Sequence, residues 1–316
     1  MYQGRLRLFR GNKRGRRITL FFTTVLILLF NTCFLLYSQN NDKVKLNNLN
    51  IKVEDLKNAF NPAVNKFNEK TISTIIIDPG HGGKDPGTIG VDKIFEKNIV
   101  LAFSLELKKE LEEILPDVKI VLTRTGDTYP TLAERFKIAN ETAKINTDKS
   151  KNALFVSVHA NASFSPRAKG FEAYFVSANE SSEYARAVSM LENEALVKFD
   201  KIDASKYEKD ASQLTHNYML IEQYQKESKL LAESITEEVL KVAGVVKRPK
   251  PVQNALFYVL KGSIMPSVLI ETGFITNPDD AKFLSTKETR IKMVKAAAKG
   301  IKNYIKLFEE TKGFTK

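Results

Sequence analysis

Cysteine is nearly absent from this chain. The single Cys33 has no partner, so no disulfide can form within one copy, and stability must come from packing, with a metal as the other available staple. Cys33 also lies inside an apolar run, where an unreactive thiol in a membrane helix is a plainer reading than a lipid-bearing one. Internal repeats are absent, and so are low-complexity segments beyond a bias toward Lys and Asn, which excludes repeat architectures. Histidine is scarce as well, with three in 316 residues, so any imidazole chemistry has few candidates.

The remaining composition, 43% hydrophobic and 27% charged, allows one sizeable core with appendages. The net charge of +12 would be a nucleic-acid signal if it were spread over the chain. Seven of those charges, Arg5, Arg7, Arg10, Lys13, Arg14, Arg16 and Arg17, precede residue 18, leaving about +5 for everything else. No nucleic-acid partner is expected. Ile18 to Tyr37 then runs without a charge, long enough to cross a bilayer as a helix. Its end, Phe34-Leu35-Leu36-Tyr37, is a poor cleavage site. Residues 18–37 are therefore expected to be a transmembrane anchor or uncleaved signal, and residues 1–17 its cytoplasmic flank. The expected localisation is the cell membrane, single-pass, with the bulk of the chain on the extracytoplasmic (periplasmic) side. Residues 38–70, rich in Asn and Lys, read as a tether.

From Thr74 onward, apolar runs of strand length alternate with amphipathic segments of helical length. This predicts an α/β fold over residues 71–310, with a mostly parallel central sheet flanked by helices. Strands are predicted at Thr74–Ile77, Lys119–Arg124, Ala153–His159, Gly170–Ser177, Asn254–Leu260 and Ser267–Glu271. Helices are predicted at Asn98–Leu115, Leu132–Ala143 and Asp279–Phe308. A helical insert at about 178–243 interrupts the alternation and is too long for a simple crossover.

Two of the three histidines end apolar strands: His81 after Ile75-Ile76-Ile77-Asp78-Pro79-Gly80, and His159 after Phe155-Val156-Ser157-Val158. Carboxyl ends of neighbouring parallel strands form the ligand crevice of an open sheet, so this placement brings two distant imidazoles together. Two imidazoles and one carboxylate make a catalytic zinc set with an open fourth position. Carboxylates stand at comparable places: Glu96 just before a helix and Glu271 at the end of Ser267-Val268-Leu269-Ile270. One can ligate while the other handles protons. The glycine-rich segment from His81 to Gly87 suits a metal loop; the Gly-x4-Gly-Lys-Ser/Thr order of a phosphate loop is absent. The third histidine, His216, belongs to no such constellation and reads as a surface or packing residue.

Four blocks, Asp78 to Gly87, Glu96-Lys97, Ser157 to Ala162 and Leu269 to Pro278, occur in the order found in the zinc-dependent N-acetylmuramoyl-L-alanine amidases, the cell-wall amidases of amidase-3 type, which this sequence resembles over about residues 72–308. The resemblance implies that His81, Glu96 and His159 bind Zn²⁺ and that Glu271 is the catalytic carboxylate. The substrate it implies is peptidoglycan, cut at the amide between N-acetylmuramic acid and L-alanine, in wall remodelling and daughter-cell separation. The insert resembles that of amidases held inactive until a division-associated activator protein binds. A helix over Ser181–Phe199 would place Ala185, Val188, Leu191, Ala195 and Phe199 on one face, with Glu192 inside that stripe and Glu194 away from it. An acid on a buried face needs a partner, which leaves two readings: Glu192 is an inhibitory ligand at the fourth zinc position in a resting state, or the helix simply packs on the sheet with Glu192 reaching solvent at its rim. Two other readings remain: a zinc peptidase or carboxypeptidase acting on wall peptides, and an inactive wall-binding protein.

Overall fold

The structure is a computed structural model that describes residues 44–46, 49–51, 71–144, 151–177, 180–201 and 211–311. The chain divides into two units, Met1–Phe67 and Asn68–Lys316. In the first, β1 (Val44–Leu46) and β2 (Leu49–Ile51) pair as an antiparallel hairpin within the expected tether. The expected single-pass membrane placement, and the membrane contact through an N-terminal helix, must be corrected: among the described residues no helix is long and apolar enough to cross a membrane. The long helices are amphipathic, with charged residues along their outer faces. Residues 18–37, where the span was expected, lie outside the described residues, as does the flank before them.

The second unit is built on a six-stranded sheet in the order β4-β3-β5-β8-β6-β7. Its strands are β3 (Thr71–Pro79), β4 (Lys119–Leu122), β5 (Lys151–Asn161), β6 (Phe171–Phe175), β7 (Lys247–Asn254) and β8 (Ser267–Phe274). β3 is parallel to β4 and β5, and β5 to β8; β6 runs antiparallel to β8 and parallel to β7. Period-two alternation explains why the central strands are apolar on both faces. Ile75, Ile77, Leu154, Val156, Val158, Val268 and Ile270 pack on one side beneath α1 (Glu96–Ile114), α5 (Ala211–Val239) and α8 (Lys287–Glu310). Ile76, Phe155, Tyr174 and Leu269 pack on the other beneath α2 (Leu132–Lys144), α3 (Glu183–Asn193) and the single turn α6 (Tyr258–Lys261). Full burial of each such side chain is worth roughly 1.5–3 kcal/mol.

The mostly parallel α/β sheet and its flanking helices are as the sequence predicted; three local features differ. Of the predicted strand Asn254–Leu260 only Asn254 is in the sheet: the rest forms a buried loop and the turn α6, because its aromatic and β-branched residues fill the core without joining the ladder. The strand before it, Lys-Arg-Pro-Lys-Pro-Val-Gln-Asn, was hidden by two prolines and three cations, a composition that only a sheet edge tolerates. The C-terminal helix is two, α7 (Pro278–Ser285) and α8, parted at Thr286. The insert contributes α3, the single turn α4 (Ala195–Lys198) and α5.

At the carboxyl end of β3 the chain must leave the sheet through a turn crowded with carbonyls. Two arginines hold it. Arg124 donates from Nε to the Pro79 carbonyl (2.9 Å) and from Nη2 to that of Gly80 (2.7 Å). Arg135, from α2, donates from Nη1 to the Pro79 carbonyl (2.7 Å) and from Nη2 to that of His81 (2.7 Å). Asp78, fully buried, accepts from Arg135 Nη1 at 2.8 Å and from the hydroxyls of Thr123 and Ser157. Burial alone would raise the Asp78 carboxyl, but the Arg135 charge and these hydrogen bonds bring it below the ordinary 3.8. Removing one partner of a buried pair costs roughly 3–5 kcal/mol. Arg135→Met should lower the unfolding free energy by about that amount in urea titrations. The sign with pH follows from the depressed value. The wild-type advantage over Asp78→Asn should be complete above pH 3.8 and disappear as pH falls through the lower folded value.

Candidate metal centre

Parallel strands that end level with one another deliver the site. His81 follows β3 in a left-handed conformation (φ 57°), His159 lies near the end of β5, and Glu271 sits opposite His159 in the β5–β8 register. Glu96 opens α1, two residues earlier than expected. Its carboxylate is fixed by the backbone N–H of Ala160 on Oε1 (3.0 Å) and of Thr88 on Oε2 (2.9 Å). His81 Nδ1 meets Asp85 Oδ2 at 2.8 Å, and Asp85 Oδ1 accepts from the Gly87 N–H at 3.0 Å. That contact fixes the ring and leaves Nε2 facing the site. Two glycines permit the close approach: a Cβ on Gly80 would stand 2.4 Å from the His159 ring, and one on Gly87 2.7 Å from Glu96 Oε2 and 2.8 Å from the His81 ring.

α3 supplies the fourth donor. Ser182 caps it, its hydroxyl accepting from the Ala185 N–H at 3.0 Å. Ala185, Val188 and Ser189 are buried on one face, and Glu192 follows on that face at helical spacing. The helix stops at Asn193, whose side chain donates to the Leu256 carbonyl and accepts from the Tyr258 N–H, both at 2.8 Å. Of the predicted stripe, Ala185, Val188 and Ala195 are buried while Leu191 is 50% exposed, and beyond the break Leu196 is buried as well. Glu194 is exposed and pairs with Lys198 at 2.7 Å. Beyond α4, Asp200 accepts from the Tyr129 hydroxyl and from the Leu132 N–H, and Lys84 donates to the Phe199 carbonyl at 2.8 Å. The segment is thus pinned on both sides of Glu192.

His81 Nε2 lies 3.0 Å from Glu96 Oε1 and 3.4 Å from Glu192 Oε2; His159 Nδ1 lies 3.3 Å and 2.8 Å from the same two atoms. All four donor atoms fall within 4.8 Å of one another. Yet His81 Nε2, His159 Nδ1, Glu192 Oε2 and both Glu271 oxygens are buried without a hydrogen bond of acceptable geometry. The two ring nitrogens and Glu192 Oε2 are close but aimed at a common point rather than at each other, and Glu271 stands apart from it. A tetrahedral ion with ligands at about 2.0–2.1 Å holds donor atoms about 3.3 Å apart, so the set fits such an ion. A dication would also balance the two carboxylates facing the imidazoles.

The electrostatics describe the same demand. Burial lowers both imidazoles, but Glu96 then Asp85 and Glu192 raise His81 well above its usual range, and Glu192 and Glu96 raise His159 to about 10. Burial raises the acids, but His81 and His159 pull Glu96 far below the usual range, and His159 and His81 pull Glu192 to about 2. Glu271 goes the other way: burial, then the neighbouring Glu192, push it well above an ordinary glutamate. A cleft lined by His81, Glu96, Leu191, Glu192, Lys198 and Phe199 opens beside these groups.

The structure thus brings together His81, Glu96, His159 and Glu192, with Glu271 across the strand pair from His159. His216 falls on α5 at a position whose side chain is outside the described residues. The sequence reading missed Glu172, a charged residue in the otherwise apolar strand Phe171–Phe175, and that anomaly was the available signal. Glu172 stands opposite Glu271 in the β6–β8 register and is 1% exposed. It accepts from Asn161 Nδ2 (2.9 Å), the hydroxyls of Tyr174 (3.0 Å) and Tyr184 (2.8 Å), and Arg248 Nε (2.9 Å).

Residues 75–303 match the Amidase_3 family, N-acetylmuramoyl-L-alanine amidase. The chain is 33% identical over 277 residues to the N-acetylmuramoyl-L-alanine amidase AmiA of Salmonella typhimurium, covering 84% of this chain and 88% of that one. Among solved structures it is similar to the amidase AmiC2 of Nostoc punctiforme, with a TM-score of 0.52 and 28% identity over 74% of this chain and 97% of that one. It is also similar to the CwlD amidase of Clostridioides difficile, solved in complex with the GerS lipoprotein, with a TM-score of 0.50 and 26% identity over 74% and 99% of the two chains. Matched from β3 through to α8, the chain belongs to the N-acetylmuramoyl-L-alanine amidase family.

Proposed function

We propose that residues 71–310 form a zinc-dependent catalytic domain that hydrolyses the amide between the lactyl group of N-acetylmuramic acid and L-alanine in peptidoglycan, and that its insert holds it in a resting state. The observation that carries this reading is the convergence of four donor atoms within 4.8 Å beside a buried, unpartnered carboxylate. His81 Nε2, Glu96 Oε1 and His159 Nδ1 would hold the ion. When bound there, Zn²⁺ supplies Lewis-acid chemistry. Asp85 keeps the His81 ring oriented through its Nδ1 contact, and the Thr88 and Ala160 N–H groups keep the Glu96 carboxylate oriented.

Glu271 moves the proton. Its carboxylate takes a proton from the attacking water and delivers it to the departing L-alanine nitrogen, so that the amine leaves neutral. Burial and the neighbouring Glu192 raise its proton affinity above that of an ordinary glutamate, which favours its taking up and passing on a proton. Cutting this bond frees glycan from cross-linked peptides, and the role we assign is wall remodelling, including separation of daughter cells.

Glu192 offers Oε2 to the same point as the three ligands and competes with substrate for the fourth position. Contacts at Ser182, Asn193 and Asp200 hold its segment in place. An activator protein would have to release it; the partnership of CwlD with a lipoprotein supports looking for such a partner.

With purified peptidoglycan, the full chain should release intact stem peptides beginning with L-alanine, identified by mass, and a chelator should abolish release. Glu271→Ala should lower kcat by about 10²–10⁴-fold. Other products, or activity indifferent to chelator and to Glu271, would overturn the amidase reading. Glu192→Ala should raise basal activity by about tenfold or more, equivalent to roughly 1.4 kcal/mol; unchanged activity would remove the inhibitory role. Gly87→Ala, whose methyl would press on Glu96 and His81, should weaken zinc binding by about 10–100-fold in competition titrations.

A further inference from the structure

We propose that Arg248 receives a carboxylate of the stem peptide and thereby sets which peptides are accepted, an assignment that rests on the amidase reading above. Arg248 lies on the edge strand β7, in a run that holds Lys247 and Lys250 and no acid. Its guanidinium is immobilised from three sides. Nε donates to Glu172 at 2.9 Å, one face lies over Tyr184 at 5.4 Å, and Phe274 lies at 5.1 Å. The side chain is nonetheless 22% exposed. Nε–H donates to Glu172, and the Tyr184 hydroxyl is a further hydrogen-bond partner of the guanidinium. The paired Nη groups form the planar fork that matches a carboxylate, already held in place and so ordered at little further entropic cost.

Glu172 is the positioning group rather than the ligand. Both its oxygens are occupied, and three neutral donors, from Asn161, Tyr174 and Tyr184, share its charge. The outer edge of Arg248 therefore stays positive.

The spacing indicates which carboxylate. Glu172 is the cross-strand neighbour of Glu271, and β7 is the next strand beyond it. Arg248 follows Lys247, the partner of Phe171, where β7 bulges out of register, so two strand spacings of about 4.8 Å put its backbone roughly 10 Å or more from Glu271. An extended peptide advances about 3.3 Å per residue, so a group on the second residue lies roughly 7 Å beyond the scissile nitrogen, within reach of a long arginine. Where the second stem residue is an acidic amino acid joined through its side-chain carboxyl, its α-carboxylate is left free unless amidated. Tyr184, on the same helix as Glu192, covers one face of the guanidinium and bonds to Glu172. With α3 released, Glu172 and Phe274 would still hold the guanidinium, and the face covered by Tyr184 would be bared together with the metal site.

The test uses the full chain carrying Glu192→Ala and two muropeptides that differ only in a free or amidated α-carboxyl on the second stem residue. Adding Arg248→Met should raise KM for the free acid by about tenfold to a hundredfold, with kcat within about twofold, and leave the amide nearly unaffected. Arg248→Lys should recover part of the loss. Equal losses on both substrates, or a fall in kcat with KM unchanged, would overturn the assignment and make Arg248 a support for Glu172 alone. Thermal melts separate either result from misfolding, the lysine variant keeping the charge opposite Glu172. Silence of the parent on both muropeptides would instead overturn the amidase reading itself.

Discussion

Three carboxylates, Glu96, Glu192 and Glu271, stand out of water around two imidazoles, and their charge has to be answered by something positive. Unpaired, any one of them would cost several kcal/mol to bury. Two ways of balancing the site are open: protons on the imidazoles, which the raised proton affinities of His81 and His159 express, or a dication held by all four donor atoms. The geometry favours the second, since the donor atoms face a common point and make no well-formed hydrogen bonds with one another. Glu271, set apart from that point, is left with no cation of its own and holds its proton more tightly.

The fold serves this cluster by ending three parallel strands at one level. β3, β5 and β8 are buried on both faces, so their registers are fixed by packing and their ends cannot slip relative to one another. Arg124 and Arg135 neutralise the carbonyls of the turn after β3, and Asp78 in turn neutralises Arg135. On one face of the sheet, α3 packs through Ala185 and Val188 and carries Glu192 to the cluster. The same helix sets Glu192 against the two imidazoles and Tyr184 against Glu172 on the neighbouring strand.

Much of this was legible in the sequence where strong local rules apply. Apolar runs that stop at His81 and His159 declare strand ends, and parallel strands force those ends together. Glu192 was legible as an acid inside an apolar stripe. The phase of that stripe after Asn193 was not, because a side chain hydrogen-bonded to Leu256 and Tyr258 ends the helix there, and such a contact leaves no periodic trace. β7 was hidden for the opposite reason: an edge strand escapes the composition rules, so Pro249 and Pro251 sit where a central strand would exclude them. The apolar run at 18–37 suggested a membrane span by hydropathy alone, and no helix among the described residues supports that placement. Glu172 was visible as an anomaly, but its meaning depends on β6 running antiparallel to β8, which pattern does not reveal.

The most direct test of the central claim is X-ray absorption at the zinc edge on the purified full chain. The account predicts one zinc per chain with four nitrogen and oxygen ligands at about 2.0–2.1 Å and outer-shell scattering from two imidazoles. A chain that takes up no zinc, or a spectrum without imidazole scattering, would contradict it.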